Sequence, residues 1–353
     1  MIYFDVTKTG KAGHRSGLTR VSARLREELG ASAIGVEWRD GYWKNADAGS
    51  AVPFSSHDWL LTAELFSEAE RPGLWSFLKE RPCRLAAIFP DAIPLKQPHI
   101  SWPQSVTRHP EYMKMLASFD RIFAISAASA EELTGFWTWQ GVSPRASVET
   151  LLLGADFLKR PRPPFVPANE RSAQGGNGSL LCIGILEPRK NQLFLLDVCA
   201  SLWAEGLAFE LNIVGRVNPH FGKPVLARIE ALRRAGARAK HHQALSDEKV
   251  LELYRAATAS VFPTIAEGCG LPPLESLWLG VPCICSDLPV LRENVDGGGC
   301  VPVALNDLQA WKAAIRRVLT DAEWAARLRS EAEARVVPTW AQAAAHLRTL
   351  ETA

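Results

Sequence analysis

The sequence is defined first by what it lacks. No apolar run approaches the ~18 residues needed to span a bilayer, and the opening residues, MIYFDVTKTGK, carry Asp5 and Lys8 where a signal peptide would need an apolar stretch. A cytoplasmic location is the expectation. The seven cysteines form no CxxC, and most sit in apolar surroundings, so buried free thiols in a reducing compartment fit best. No Asp-x-Asp and no His/Cys cluster with ligand spacing occurs, leaving a metal without an anchor. Charge of one sign is also missing. A formal net charge of +2 over 353 residues argues against nucleic acid as the main partner and leaves any positive field to local clusters.

What is present reads as a soluble globular protein, with 47% hydrophobic and 22% charged residues. The length implies two domains. Short β-rich runs at Ile2–Val6, Ala33–Trp38, Trp59–Thr62, Leu85–Phe89, Arg121–Ile125 and Val148–Leu152 alternate with amphipathic segments such as Leu18–Leu29 and Ala127–Thr134. That rhythm builds a parallel sheet covered by helices. PRPPFVPANERSAQGGNGS, from Pro161 to Ser179, is linker chemistry. The alternation then restarts with strands at Leu180–Leu186, Glu210–Val214, Ala259–Phe262 and Pro282–Cys285. The fold class is therefore α/β, with two Rossmann-like domains facing each other and the substrate site between them. The expected division is 1–165 with a return helix in 339–353, and 166–338. Twelve tryptophans read mainly as core packing.

The stretch EGCGLPPLES, from Glu267 to Ser276, concentrates polar chemistry between apolar runs. Gly268 and Gly270 allow a tight turn and close backbone approach to a ligand. Pro272 and Pro273 suit the first turn of a helix, where their missing N–H groups cost little. Glu267 then lies on a loop and Glu275 about one turn inside. A helix N-terminus attracts phosphate, and carboxylates bind sugar hydroxyls through charge-assisted hydrogen bonds. The stretch suits a sugar joined to a phosphate. Lys190 also stands out, because a cation at the start of a helix is electrostatically misplaced unless an anion arrives.

In sequence, PTIAEGCGLPPLESLWLGVPCICSDLPVLRE resembles the E-x7-E region of retaining glycosyltransferases of family 4, which have the GT-B fold. CIGILEPRKNQLFLLDV, ELNIVGR and HHQALSDEKVLELYRAA resemble further segments of that family, in its order. FPDAIPLKQP, FDRIFAISAASAEEL and GLTRVSARLREEL resemble its first-domain segments. The wording of EPRKN and DAIPL is nearest the bacterial O-antigen mannosyltransferase branch. The resemblance implies an N-terminal acceptor-side domain and a C-terminal donor domain. It implies transfer of a hexose from a nucleotide diphosphate, GDP-mannose first, to a saccharide or lipid-linked acceptor in surface polysaccharide synthesis, with retention; the missing metal anchor adds the expectation that no metal or other cofactor takes part. Peripheral contact of basic, tryptophan-rich first-domain surfaces with the inner face of a membrane is expected.

By the same resemblance Glu267 contacts the transferred sugar, Glu275 the ribose, and the backbone of Gly268, Cys269, Gly270 and Leu271 faces sugar and phosphate. Arg189 and Lys190 neutralise the diphosphate, Gly13 and His14 approach it from the first domain, and Ala244 and Leu245 border the base. The sequence departs from the family at Pro90, where a histidine often precedes Asp91. Asp91 is then an acceptor-side candidate, with His57 or His109 as substitutes for the missing ring. The departure also supports a second reading, a degenerate nucleotide-sugar-binding sensor or partner protein. A nicotinamide dehydrogenase matches the strand–helix rhythm only, since Gly10 and Gly13 do not complete GxGxxG.

Overall fold

Two successive runs of alternating strands and helices give two units, Met1–Gly154 with Pro338–Ala353, and Ala155–Val337. The structure, a computed structural model, describes residues 1–11, 17–159, 162 and 178–352, and all counts refer to these. The expected domain break at 165/166 lies outside the described residues.

The first unit contains β1 (Ile2–Asp5), α1 (Gly17–Leu29), β2 (Ala33–Arg39), β3 (Tyr42–Asn45), β4 (Trp59–Thr62), α2 (Leu74–Glu80), β5 (Arg84–Phe89), α3 (Ile93–Lys96), α4 (Pro103–Leu116), β6 (Arg121–Ala124), α5 (Ala127–Trp139) and β7 (Ser147–Thr150). Its seven-stranded sheet has the order β3-β2-β1-β4-β5-β6-β7. All pairs are parallel except the β2–β3 hairpin. Every residue of β4 is buried, as a strand covered by helices on both faces requires. The hairpin was not read from the sequence, although Asp40-Gly41 signals it. Both residues take positive φ, 58° and 86°, the geometry that matches strand twist in a two-residue turn. It seats Trp43 edge-on against Trp38 at 5.3 Å.

The second unit contains β8 (Gly178–Ile183), α6 (Gln192–Ala204), β9 (Phe209–Val214), α7 (Lys223–Arg234), β10 (Ala239–His242), α8 (Asp247–Ala256), β11 (Ala259–Phe262), α9 (Leu271–Trp278), β12 (Cys283–Ser286), α10 (Pro289–Val295), β13 (Cys300–Val303), α11 (Leu308–Thr320) and α12 (Ala322–Ala334). The sheet is parallel throughout, ordered β10-β9-β8-β11-β12-β13. Chain direction across the sheet reverses between β8 and β11. That switch point leaves a crevice at the strands' carboxyl ends. The core behind it is built from Leu180, Leu195, Leu211, Ile284 and Trp311. The cysteines are free, and all but Cys300 are buried.

The last helix, α13 (Trp340–Arg348), belongs to the first unit. Thr339 and Gln342 form a reciprocal capping box at its start. It packs on α1, with the Arg24 guanidinium 5.9 Å from the Trp340 ring centroid and Arg348 donating to the Glu28 carbonyl. Gly154 is where the chain first leaves this unit. A Cβ there would stand 2.2 Å from the Trp340 nitrogen, so only glycine fits. Among the described residues no helix is long and apolar enough to cross a membrane.

Candidate functional site

β8 and β11 flank the switch point, and their carboxyl ends bring together residues 77 positions apart. After β8 the chain turns through Pro188–Lys190, and Asn191, in the left-handed region at φ 56°, starts α6. The Lys190 stem lies over Gly184, where a Cβ would come within 3.3 Å of three of its carbons. Its ammonium sits 4.8 Å from the Phe262 ring centroid. After β11 the chain runs through Pro263 to Glu267.

The two segments are tied by their backbones and then by charge. The Ile265 N–H donates to the Arg189 carbonyl at 2.8 Å. Lys190 Nζ donates to Glu267 Oε1 at 2.6 Å, and Arg189 Nη1 stands 2.9 Å from the same oxygen. Thr264 Oγ1 lies 2.7 Å from it as a third donor. Arg189 also pairs with Glu187 at 3.0 Å. Lys190 is only 9% exposed, so the solvated helix-start lysine is not what forms. Burial raises the Glu267 carboxyl, but Arg189 and Lys190 outweigh it and hold the group below its ordinary range. Burial and the Arg189 charge push the Lys190 ammonium below its ordinary value against the pull of Glu267.

Glu267 leads into the glycine turn. Gly270 takes φ 84°, and a Cβ there would meet Leu291 Cδ2 at 2.4 Å, so conformation and space both demand glycine. It occupies the N-cap position of α9, whose first turn holds Pro272 and Pro273. The Cys269 carbonyl accepts from Asn294 Nδ2 at 2.8 Å, pinning the bend to α10. Glu275, in the second turn of α9, is 2% exposed. The Tyr254 hydroxyl approaches it at 3.4 Å and the Pro272 carbonyl at 3.3 Å. At the C-terminal end of α9, Arg162 donates to the carbonyls of Leu277 and Trp278.

Ala244 and Leu245 follow β10, at the edge of the same set of carboxyl ends. Ala244 holds φ 57°, a left-handed strain that a non-glycine residue accepts only where its surroundings enforce it. Before it, His241 Nε2 contacts the Gly215 carbonyl at 2.8 Å and His242 Nε2 contacts Asn212 Oδ1 at 2.7 Å.

In the first unit, Asp91 follows β5 at the sheet's carboxyl edge. Its Oδ1 accepts the Ile93 N–H at 3.0 Å, and its carbonyl lies 2.9 Å from His109 Nε2. His109 is buried, and burial pushes its pKa down. His57 precedes β4 on the opposite edge, so it does not join Asp91. Gly13 and His14 lie outside the described residues.

One set that the sequence did not disclose sits where β1 and β4 end, at the reversal point of the first sheet. Arg71 Nη1 meets Asp5 Oδ2 at 2.7 Å and its Nη2 meets Glu64 Oε2 at 2.6 Å, all three side chains being buried. Glu64 also accepts the N–H groups of Lys8 and Thr9 at 2.7 Å, fixing the path after β1. Burial and the neighbouring Asp5 push Glu64 up to about 7, against the Thr9 and Lys8 N–H groups and Arg71. Thr264 was missed as well. Its position three residues before Glu267 was the available signal.

Residues 169–335 match the family model of glycosyl transferases group 1. The serotype-specific mannosyltransferase WbdA of Escherichia coli is 28% identical over 82% of this chain and 39% of its own length. This chain thus spans about two fifths of that relative. The lipopolysaccharide core biosynthesis mannosyltransferase LpsB of Rhizobium meliloti is 25% identical over 70% of this chain and 72% of its own. Among solved structures, sucrose-phosphate synthase of Thermosynechococcus elongatus superposes with a TM-score of 0.72 at 17% identity, covering 99% of this chain and 98% of that one. Anabaena Alr3699/HepE in complex with UDP and glucose gives 0.71 at 15%, covering 100% and 99%. The fold is GT-B, as the resemblance implied.

Proposed function

We propose that this chain, whose residues 169–335 match the model of glycosyl transferases group 1, is a glycosyltransferase that moves a hexose from a nucleotide-diphosphate donor to a saccharide or lipid-linked acceptor with retention. The mannosyltransferase relatives favour GDP-mannose as donor and surface polysaccharide synthesis as the setting. The observation that carries the reading is the convergence of Lys190 and Arg189 on Glu267 at the switch point of the second sheet.

Glu187, Arg189, Lys190 and Glu267 balance to zero net charge, so the cations are gathered before any ligand enters. An arriving diphosphate competes with Glu267 for Lys190 and Arg189. As it takes them over, the carboxylate turns to the hydroxyls of the sugar beside it. The same cations then meet the charge that grows on the leaving diphosphate as the glycosidic bond breaks. Interactions that strengthen along that coordinate lower the barrier rather than merely tighten binding. The backbone of Gly268, Cys269, Gly270 and Leu271 supports sugar and phosphate, Glu275 the ribose, and Ala244 and Leu245 the base. Asp91 serves the acceptor. In this reading Lys190 and Arg189 replace a metal, so turnover survives excess chelator.

The test is a donor panel with assay of released nucleoside diphosphate, comparing the native chain with Glu267→Ala. The variant is expected to lose turnover by at least ~100-fold while still binding nucleoside diphosphate. Near-native transfer by it overturns the assignment. Magnesium-restored activity after chelation overturns the metal-free part alone.

A further inference from the structure

Three cysteines meet on two neighbouring strands at the edge of the second sheet. In the register of β12 on β13, Cys283 stands opposite Cys300, while Cys285 stands opposite Pro302. On its other side Cys283 stands opposite Ser260 of β11. Ser260, Cys283 and Cys300 thus form one row across three parallel strands, and register partners project to the same face. Helix α9 covers that face, with Ser276 Oγ 2.7 Å from Ser260 Oγ. Cys283 and Cys285 are fully buried, whereas Cys300 is partly exposed on the edge strand.

Spacing selects one pair. A disulfide needs Cα atoms about 4.4–6.8 Å apart. Register partners on adjoining strands are ~4.8 Å apart, which falls inside that window. Cys283 and Cys285, two apart along one strand, are ~6.7 Å apart and reach only its limit. Cys285 and Cys300 lie on a diagonal of ~8 Å, beyond it. Cys182 is excluded as well, because β11 separates β8 from β12.

We propose that Cys283 and Cys300 form a redox-modification site, closing to a disulfide when a hydroperoxide reaches Cys300. The hydroperoxide oxidises the Cys300 thiol to a sulfenic acid and is itself reduced to the alcohol, or to water where it is hydrogen peroxide. The Cys283 thiolate then attacks that sulfur and the S–O bond breaks. The departing hydroxide takes up the proton lost by Cys283 and leaves as water. Hydrogen bonds from Cys285 and Cys300 hold Cys283 below the ordinary thiol value, which suits it to the attack. Cys300, as donor to Cys283, is held above that value against the Arg335 guanidinium, so the first step is the slow one. The loop closed in this way contains α10, whose Asn294 holds the Cys269 carbonyl and whose Leu291 crowds Gly270. Oxidation therefore staples the support of the glycine bend to the sheet while the strands keep their register.

The full chain is treated with hydrogen peroxide, alkylated and digested with trypsin, which cuts after Arg292, between the two cysteines. A pair of peptides joined through Cys283 and Cys300, and released by dithiothreitol, is expected in the mass spectrum. Cys283→Ser and Cys300→Ser should each abolish it, and Cys285→Ser should retain it. Should Cys283→Ser fail to fold by circular dichroism, Cys300→Ser against Cys285→Ser carries the comparison. The oxidised native chain should lose about 2 °C or more of its thermal midpoint when dithiothreitol is added, and oxidised Cys300→Ser should not. The proposal fails if no cross-link forms within the chain, if it joins Cys285 or a second copy instead, or if reducing it leaves the midpoint unchanged or raises it.

Discussion

Lys190 Nζ and Glu267 Oε1 meet at 2.6 Å in a setting largely withdrawn from water, although one follows β8 and the other β11. A buried pair of this kind is sensitive to the loss of one member, because the survivor keeps its charge without its partner. Lys190→Met and Glu267→Gln are each expected to lower stability by about 2–4 kcal/mol, with Arg189 softening the loss. The double variant should be less destabilised than the sum of the two. Turnover should stay low in all three. Urea midpoints and nucleoside diphosphate release on the four proteins check this, and strict additivity would remove the coupling.

Thr264 is fully buried, with its hydroxyl 2.7 Å from the same Glu267 oxygen. Thr264→Val keeps the shape and removes that donor. The carboxylate is then less firmly oriented, and kcat should fall by about tenfold with KM little changed. Thr264→Ser should restore it. Equal losses in the serine and valine variants would mean that packing, not the hydroxyl, matters here.

Gly270→Ala meets both a left-handed backbone and the Leu291 methyl. A stability loss of about 2 kcal/mol or more is expected from conformation and overpacking together, along with weaker nucleotide binding as the bend shifts. Thermal unfolding and calorimetric titration of the variant measure the two effects. A fully native Tm would show that the turn relaxes without strain.

Glu64 supplies the pH dependence. Its folded pKa of about 7 lies above the ordinary 4.5, so between these values the folded chain keeps a proton that the unfolded chain has released. Its contribution is complete below about 4.5 and is lost as pH rises through 7. The groups that set this are Asp5 and Arg71 beside it, with the Lys8 and Thr9 N–H groups from the path after β1. Relative to Glu64→Gln, the native chain should lose up to ~3 kcal/mol between pH 5 and pH 8. Denaturant midpoints for both proteins at the two pH values decide it. A constant difference would place the carboxyl in one protonation state throughout.

The rhythm of the fold was legible because parallel strands buried on both faces leave continuous apolar runs such as WLLT and ASVF. The pattern failed where an element is short or lies at an edge. β10 reads AKHH and β13 reads CVPV, with a proline tolerated at the sheet margin. α4 carries Pro110 inside it, which breaks the periodicity that announces a helix. In the site, the glycine bend and the prolines of α9 were readable because they are local. The meeting of Lys190 with Glu267, and of Asp5 with Glu64 through Arg71, depends on which strands become neighbours in the sheet. Residue spacing along the chain carries no such information.

The helix α13 returns to α1 across Gly154, the residue at which the chain departs for its second unit. Everything from Ala155 to Val337 is thus an insertion between two parts of one body. During synthesis the second unit is complete before α13 exists, so the α1 face stays uncovered until the inserted domain has been made. A chain stopped at Val337 should yield a folded second half attached to an exposed, aggregation-prone first half, which ties the solubility of the whole to its last helix.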